Sequence, residues 1–240
     1  MNKIKIFIFI LCFLITGKCL SQSGWFWQNP TPQGNSLWGV KFINENTGWA
    51  VGNYGTILKT TNGGTSWSSQ LSGTTNFFTD ISFTDANNGT IVGFSGIILR
   101  TTNSGTNWIL QSSGTSNNLY GVCFSDANNG IAVGEGGTIL KTTNSGTTWN
   151  LQQSVTTYYL WSVFFTDVNN GTIVGSSGTI LRTTNGGTNW TIQASGTTQS
   201  LSSVSFCEEN YGMIVGYVGT ILITTNGGAN WISLSSGITN

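Results

Sequence analysis

The sequence predicts an all-β fold, a β-propeller of four-stranded blades. Three observations carry that expectation. A 41-residue unit repeats five times in one register: Trp67, Trp108, Trp149, Trp190 and Trp231 close the phrases TTNGGTSW, TTNSGTNW, TTNSGTTW, TTNGGTNW and TTNGGANW. Within each unit apolar residues alternate with the period of a strand, and no stretch carries helical spacing. Glycine and asparagine punctuate every unit, with 33 Gly against two Pro in 240 residues, which is the turn chemistry of short antiparallel strands. Units of this length with four strands and no helix read as propeller blades. The coils of a β-solenoid are shorter and lack the four-strand meander.

From the N-terminus, Lys3 and Lys5 precede an uncharged apolar stretch from Ile6 to Ile15, and Gly17 to Ser21 follow. That layout is a secretory signal peptide over residues 1–21. The stretch is too short to span a bilayer, which takes about 20 residues. The mature chain is therefore expected outside the cytoplasm (periplasm, cell surface or extracellular), with no membrane insertion once the signal is removed. Lys18 precedes Cys19 where a lipoprotein signal carries a small residue, so acylation is not expected. Residues 22–36 form a leading strand and link. Trp25-Phe26-Trp27-Gln28 matches the WSSQ, WILQ, WNLQ and WTIQ that begin at Trp67, Trp108, Trp149 and Trp190. Such a strand is surplus in a closed five-blade ring. Either it packs on the outside, or the chain is part of a larger ring.

The units run over residues 37–77, 78–118, 119–159, 160–200 and 201–240. In the first, Leu37 to Phe42 alternates, which predicts a strand with Trp38, Val40 and Phe42 on one face. The apolar pair Val40/Phe42 recurs as Ile81/Phe83, Val122/Phe124, Val163/Phe165 and Val204/Phe206. Asn44 to Thr47 is a polar turn, and Trp49 to Val51 is a second strand between glycines. Asn53-Tyr54-Gly55 is a tight turn, Thr56 to Thr60 a third strand, Asn62-Gly63-Gly64 a strong turn signal and Trp67 to Leu71 a fourth strand.

The phrase T-x-N-x-G-x-x-W resembles the Asp-box, or BNR, repeat S-x-D-x-G-x-T-W. The longer phrase GWAVGNYGTILKTTNGGTSW, from Gly48 to Trp67, is similar to units of the photosystem II assembly/stability factor family of secreted propellers. The resemblance covers residues 25–240 and implies a propeller whose Asp-box turn joins third and fourth strands. The Asp-box acid is asparagine here, at Asn62, Asn103, Asn144, Asn185 and Asn226. Asparagine still caps the turn but brings no charge for a cation. The arginine cluster of a sialidase and the basic face patch of the assembly factors have no counterpart: Arg100 and Arg182 alternate with Lys59 and Lys141 at one repeat position, spread around the blades.

Composition narrows the chemistry. Charged residues are 7% of the chain, eight basic against eight acidic, and there is no histidine. A neutral chain has no footprint for nucleic acid. Without histidine there is no Ser-His-Asp triad, Cys-His pair or His-ligated metal. Glycosidase chemistry needs two carboxylates close together. Asp85, Asp126 and Asp167 share one turn position, and Asp80 and Glu135 stand singly. No cofactor, metal site or catalytic residue is expected. Cys123 and Cys207 lie two units apart, too far to bridge, and read as small buried hydrophobes.

A meander puts the Asp-box turns and Asn44-type turns at one end of each blade, and the Tyr54-type turns and inter-unit links at the other. Aromatics collect at the second end, with Phe77 in a link among them, and the candidate ligand-binding residues are Tyr54, Phe94 and Tyr217 in short turns, Tyr158 and Tyr159 in a link, and Trp38, Tyr120 and Trp161 at the start of first strands. Exposed aromatics around a concavity suit a peptide or a sugar face. The expected function is a secreted, non-enzymatic scaffold binding a protein or glycan. A sialidase-like hydrolase or lyase relative and a structural surface-protein fragment are the alternatives.

Overall fold

The computed structural model describes residues 34–237. The expected signal peptide and leading strand lie outside the described residues. Each unit folds as one four-stranded antiparallel sheet with strands in chain order. Blade one comprises Leu37–Phe42, Gly48–Gly52, Ile57–Thr60 and Ser68–Gln70. Blade two comprises Phe78–Phe83, Gly89–Gly93, Ile98–Thr101 and Ile109–Gln111. Blade three comprises Leu119–Phe124, Gly130–Gly134, Ile139–Thr142 and Asn150–Leu151. Blade four comprises Leu160–Phe165, Gly171–Gly175, Ile180–Thr183 and Thr191–Gln193. Blade five comprises Leu201–Phe206, Gly212–Gly216, Ile221–Thr224 and Ile232–Leu234. First strands of consecutive blades pack against one another, so the first strands are innermost.

The repeated phrases now have physical reasons. In TTNGG, the Thr60 hydroxyl accepts from the Gly64 amide at 2.9 Å and donates to Asn62 Oδ1 at 3.0 Å, while Asn62 Oδ1 accepts from the Ser66 amide at 2.9 Å. The threonine is buried and the asparagine closes the turn with no charge needed. Thr142 and Asn144 repeat the arrangement. The closing tryptophan meets the first-strand phenylalanine of its own blade edge-on, as at Phe124–Trp149 with centroids 5.9 Å apart. That ring lies on the glycine opening the second strand: a Cβ on Gly130 would come within 2.9 Å of Phe124.

The core lies between blades. Trp49, Val51 and Ile57 of blade one pack with Phe78, Ile81 and Phe83 of blade two. Ile131, Val133 and Ile139 of blade three pack with Leu160, Val163 and Phe165 of blade four. The basic residues join these contacts at their outer part. Lys59 Nζ donates to the Ser104 carbonyl at 2.9 Å, Arg100 Nε to Ser145 at 2.6 Å, Lys141 Nζ to the Thr188 hydroxyl at 3.1 Å and Arg182 Nε to Gly227 at 3.2 Å. Each cation thus fastens its blade to the Asn-turn of the next.

Three expectations need correction. The third strand starts at Ile57 and the fourth covers Ser68–Gln70, because Thr56 still closes the short turn with an amide bond to the Asn53 carbonyl at 3.1 Å. Trp38 does not share a face with Val40 and Phe42. The register slips between Leu37 and Gly39, so Leu37 takes that face and Trp38 is turned away. Finally, Cys207 is exposed. Cys123 is largely buried, and burial pushes its thiol up to about 11. Both thiols are free.

Candidate functional site

The slip at Trp38 is a β-bulge, and it recurs at the same place in each blade. A bulge adds one unpaired residue and re-aims its side chain. The bulged residues are Trp38, Thr79, Tyr120, Trp161 and Ser202, one per blade. All five line one cavity of about 620 Å³. Local hydrophobic patterning keeps Leu37-type, Val40-type and Phe42-type residues in the blade contact, and the bulge releases the residue after the first to face the centre.

A second set comes from the short turns. The first turn residue of each blade bonds its amide to the carbonyl just before the first strand. These bonds run from Asn53 to Ser36, Phe94 to Phe77, Glu135 to Asn118, Ser176 to Tyr159 and Tyr217 to Ser200, at 2.8–2.9 Å. This places turn and link side by side at the mouth. Asn53, Phe94 and Tyr217 line the cavity together with Phe77 of a link. Turn residues also steer the bulged indoles: Trp38 Nε1 donates to Asn53 Oδ1 at 2.7 Å, and Trp161 Nε1 to the Ser176 hydroxyl at 3.0 Å. The glycine closing each turn is obligatory. Gly55 sits at φ +72°, and a Cβ there would lie 1.9 Å from the Thr74 carbonyl.

The rings form a continuous run. Tyr54 meets Phe77 at 5.1 Å, Phe77 meets Phe94 at 5.7 Å, Phe94 meets Tyr120 at 6.2 Å and Tyr120 meets Trp161 at 4.5 Å. Tyr159 touches both, at 6.2 Å from Tyr120 and 5.7 Å from Trp161. Among the described links and short turns, Glu135 is the one charged residue. Its carboxylate accepts from the Tyr159 hydroxyl at 3.1 Å. That bond and the carboxylate charge raise the Tyr159 phenol, and burial followed by the same charge raises Tyr120. Both phenols therefore remain donors.

Of the residues singled out in the sequence, Trp38, Phe94, Tyr120, Trp161 and Tyr217 line the cavity. Tyr159 stands at its rim. Tyr54, one position later in its turn than Phe94 or Tyr217, is exposed and joins through Phe77. Tyr158 is exposed and outside the lining. Phe77, also noted in a link, lines the cavity too, and Asn53, Phe78, Thr79 and Ser202 complete the lining without having stood out. The link position of Phe77 was visible, but nothing in the apolar pattern reveals a bulge.

The acids do other work. Asp85 accepts from the Asn88 side chain and from the amides of Asn87 and Asn88, and these bonds, the Asn88 side chain's foremost, hold its carboxyl below the usual range. Asp126 and Asp167 close their turns in the same way. Asp80 bonds its own Ile81 amide at 2.8 Å and Val122 of the next blade at 2.9 Å. Burial pushes it up to about 6. Among the described residues, no three metal-ligating side chains cluster, and no helix is long and apolar enough to cross a membrane.

The family model described as photosynthesis system II assembly factor YCF48 matches residues 20–112, 110–192 and 147–237. The structure of YCF48 from Cyanidioschyzon merolae is similar at TM-score 0.60 and 18% identity, over 88% of each chain. An ancestral GH74 enzyme is similar at TM-score 0.69 and 18% identity, over 88% of this chain and 32% of the enzyme. The GH74 xyloglucanase from Xanthomonas campestris is similar at TM-score 0.68 and 11% identity, over 84% of this chain and 38% of the enzyme. The chain thus spans about a third of each GH74 enzyme, and these likenesses concern the fold. No curated protein matches the chain.

Proposed function

From the premise that the chain belongs to the photosynthesis system II assembly factor YCF48 family, we propose that it is an exported, non-catalytic scaffold holding a segment of a partner protein at the aromatic mouth. One observation carries this reading: five bulges deliver one residue from every blade to a single cavity, and three of them are Trp38, Tyr120 and Trp161. Large aromatic rings held by hydrogen bonds are pre-ordered contact surface with little entropy left to lose. The cavity is of the size that takes a few side chains rather than a folded domain.

The charge distribution narrows the partner. The mouth carries Glu135 and no cation among the described links and turns. An acidic segment would meet a carboxylate and no counter-charge. An uncharged apolar segment, or one with a single Lys or Arg over the Tyr120–Trp161 rings, is matched by ring faces and by Glu135. The family's name describes an assembly factor, which fits the handling of a protein client. Lys3, Lys5 and the apolar stretch Ile6 to Ile15 support export.

The test is binding to an array of short peptides, with tryptophan fluorescence as the readout in solution. Peptides with one basic residue among apolar ones are expected to bind best. Trp161→Ala and Tyr120→Ala should each weaken binding by about tenfold or more, the loss of a buried aromatic anchor, with the melting temperature nearly unchanged. Glu135→Gln should remove the preference for the basic residue. Unaltered binding in Trp161→Ala would place the site elsewhere. Binding of oligosaccharides but not peptides would move the reading to a carbohydrate scaffold.

A further inference from the structure

The four contacts between consecutive blades are built alike. Second-strand residues of one blade lie against first-strand residues of the next. Trp49 and Val51 face Phe78, Ile81 and Phe83, with Trp49 stacked on Phe83 at 3.8 Å. Ile131 and Val133 face Leu160, Val163 and Phe165. Every one of these residues is buried.

The repeat carries the same two faces to the outer sides of the first and last described blades. On blade one, Leu37, Val40 and Phe42 hold the positions of Phe78, Ile81 and Phe83, yet they are 44%, 63% and 40% exposed. On blade five, Met213 and Val215 hold the positions of Trp49 and Val51, and they are 47% and 40% exposed. One molecule thus displays both halves of a contact that it makes four times within itself.

We infer that copies of this chain associate head to tail, blade five of one on blade one of the next. In the register of the inner contacts, Met213 meets Phe42, and Val215 meets Leu37 and Val40. A thioether on an aromatic ring is a favourable contact. The two halves need no new complementarity, since the same repeat shapes both. One position departs from the pattern. Lys59, Arg100, Lys141 and Arg182 each fasten the following blade, and blade five has Ile223 there. The contact between copies therefore lacks its cation and rests on apolar burial, which makes it weaker than the inner contacts and reversible. It is also heterologous, so it leaves an unsatisfied face at each end of a pair and extends with concentration unless a ring closes.

Sedimentation velocity of the purified protein over a wide concentration range tests this. The weight-average mass is expected to rise with concentration. Val40→Asp and Val215→Asp should each abolish the rise, with circular dichroism melts confirming that both variants fold. The milder Val40→Ser and Val215→Ser serve if either does not. Mixing the two variants should restore association, stopping at a dimer, because the first keeps an intact blade five and the second an intact blade one. Wild-type protein that stays monomeric throughout overturns the inference. So does a mixture of variants that remains monomeric.

Discussion

Asp80 is a buried carboxylate at a position where the other blades carry none. Gly39, Gly121, Ser162 and Ser203 hold the same place in other blades, and the Ser162 hydroxyl accepts from the Val204 amide at 3.4 Å as Asp80 does from Val122. The carboxylate is desolvated, so the folded state holds its proton up to about 6 against an ordinary 3.8. Between those values the folded chain binds a proton that the unfolded chain has released. The stability contributed by this group is therefore full below the lower value, falls as pH rises and levels off above about 6. Turn carboxylates such as Asp85 act in the opposite sense, losing their contribution as pH falls. The comparison that isolates Asp80 is with Asp80→Ser, which keeps a hydroxyl acceptor. The stability of wild type minus that of Asp80→Ser should decrease from pH 4 to pH 6, read from denaturant melts, and a difference independent of pH would refute the assignment. The sequence marked Asp80 as singular. It could not show the desolvation, which arises where blade two meets the Val122 amide of blade three.

At the scale of the element, the short turn and the bulge act as one device. The turn glycine adopts a left-handed conformation and lies against the carbonyl of the following link. For Gly137, φ is +74° and a Cβ would be 2.0 Å from the Thr156 carbonyl. Gly137→Ala meets both a backbone penalty and a steric one, and about 2–4 kcal/mol of destabilisation is expected. Its melting temperature should fall well below that of Gly73→Ala, where a left-handed glycine has nothing within 4 Å. Similar losses at the two positions would show that the link does not constrain the turn. The turn was legible in the sequence, since a glycine recurs between the same two apolar runs in every unit, at Gly55, Gly96, Gly137, Gly178 and Gly219. The bulge was not. Alternation alone put Trp38 with Val40 and Phe42, whereas pairing to Gly52 and Val51 puts Leu37 there instead. A register slip is a property of two strands, and the pattern of one strand does not contain it.

At the scale of the whole molecule, stability is a chain of nearest-neighbour contacts. A tryptophan in an inner blade is covered by its neighbours, and one at an end is not. Trp149 is buried, whereas Trp67 and Trp231 are half-buried. Trp149→Ala should cost about 3–5 kcal/mol, the usual loss for a buried aromatic, and Trp231→Ala clearly less, by chemical denaturation. Equal losses would mean that blade five is as enclosed as blade three. By itself the sequence determined the blade. Its strand order, its asparagine turn, its Phe–Trp pair and the apolar positions between blades all follow from short-range patterning repeated in register, and the five copies leave no freedom in reading them. The sequence also placed these aromatics together at one end of the blades, because a meander sends alternate turns to opposite ends. Only the tertiary structure decided which aromatics converge. It brought Trp38, Phe77, Phe94, Tyr120, Trp161 and Tyr217 into one lining, set Tyr159 against Tyr120 and Trp161, and left Tyr54 and Tyr158 outside the cavity. Convergence depends on the direction of each side chain after a bulge and on the angle between successive blades. Both are set by contacts more than a strand apart, where the local pattern has no influence.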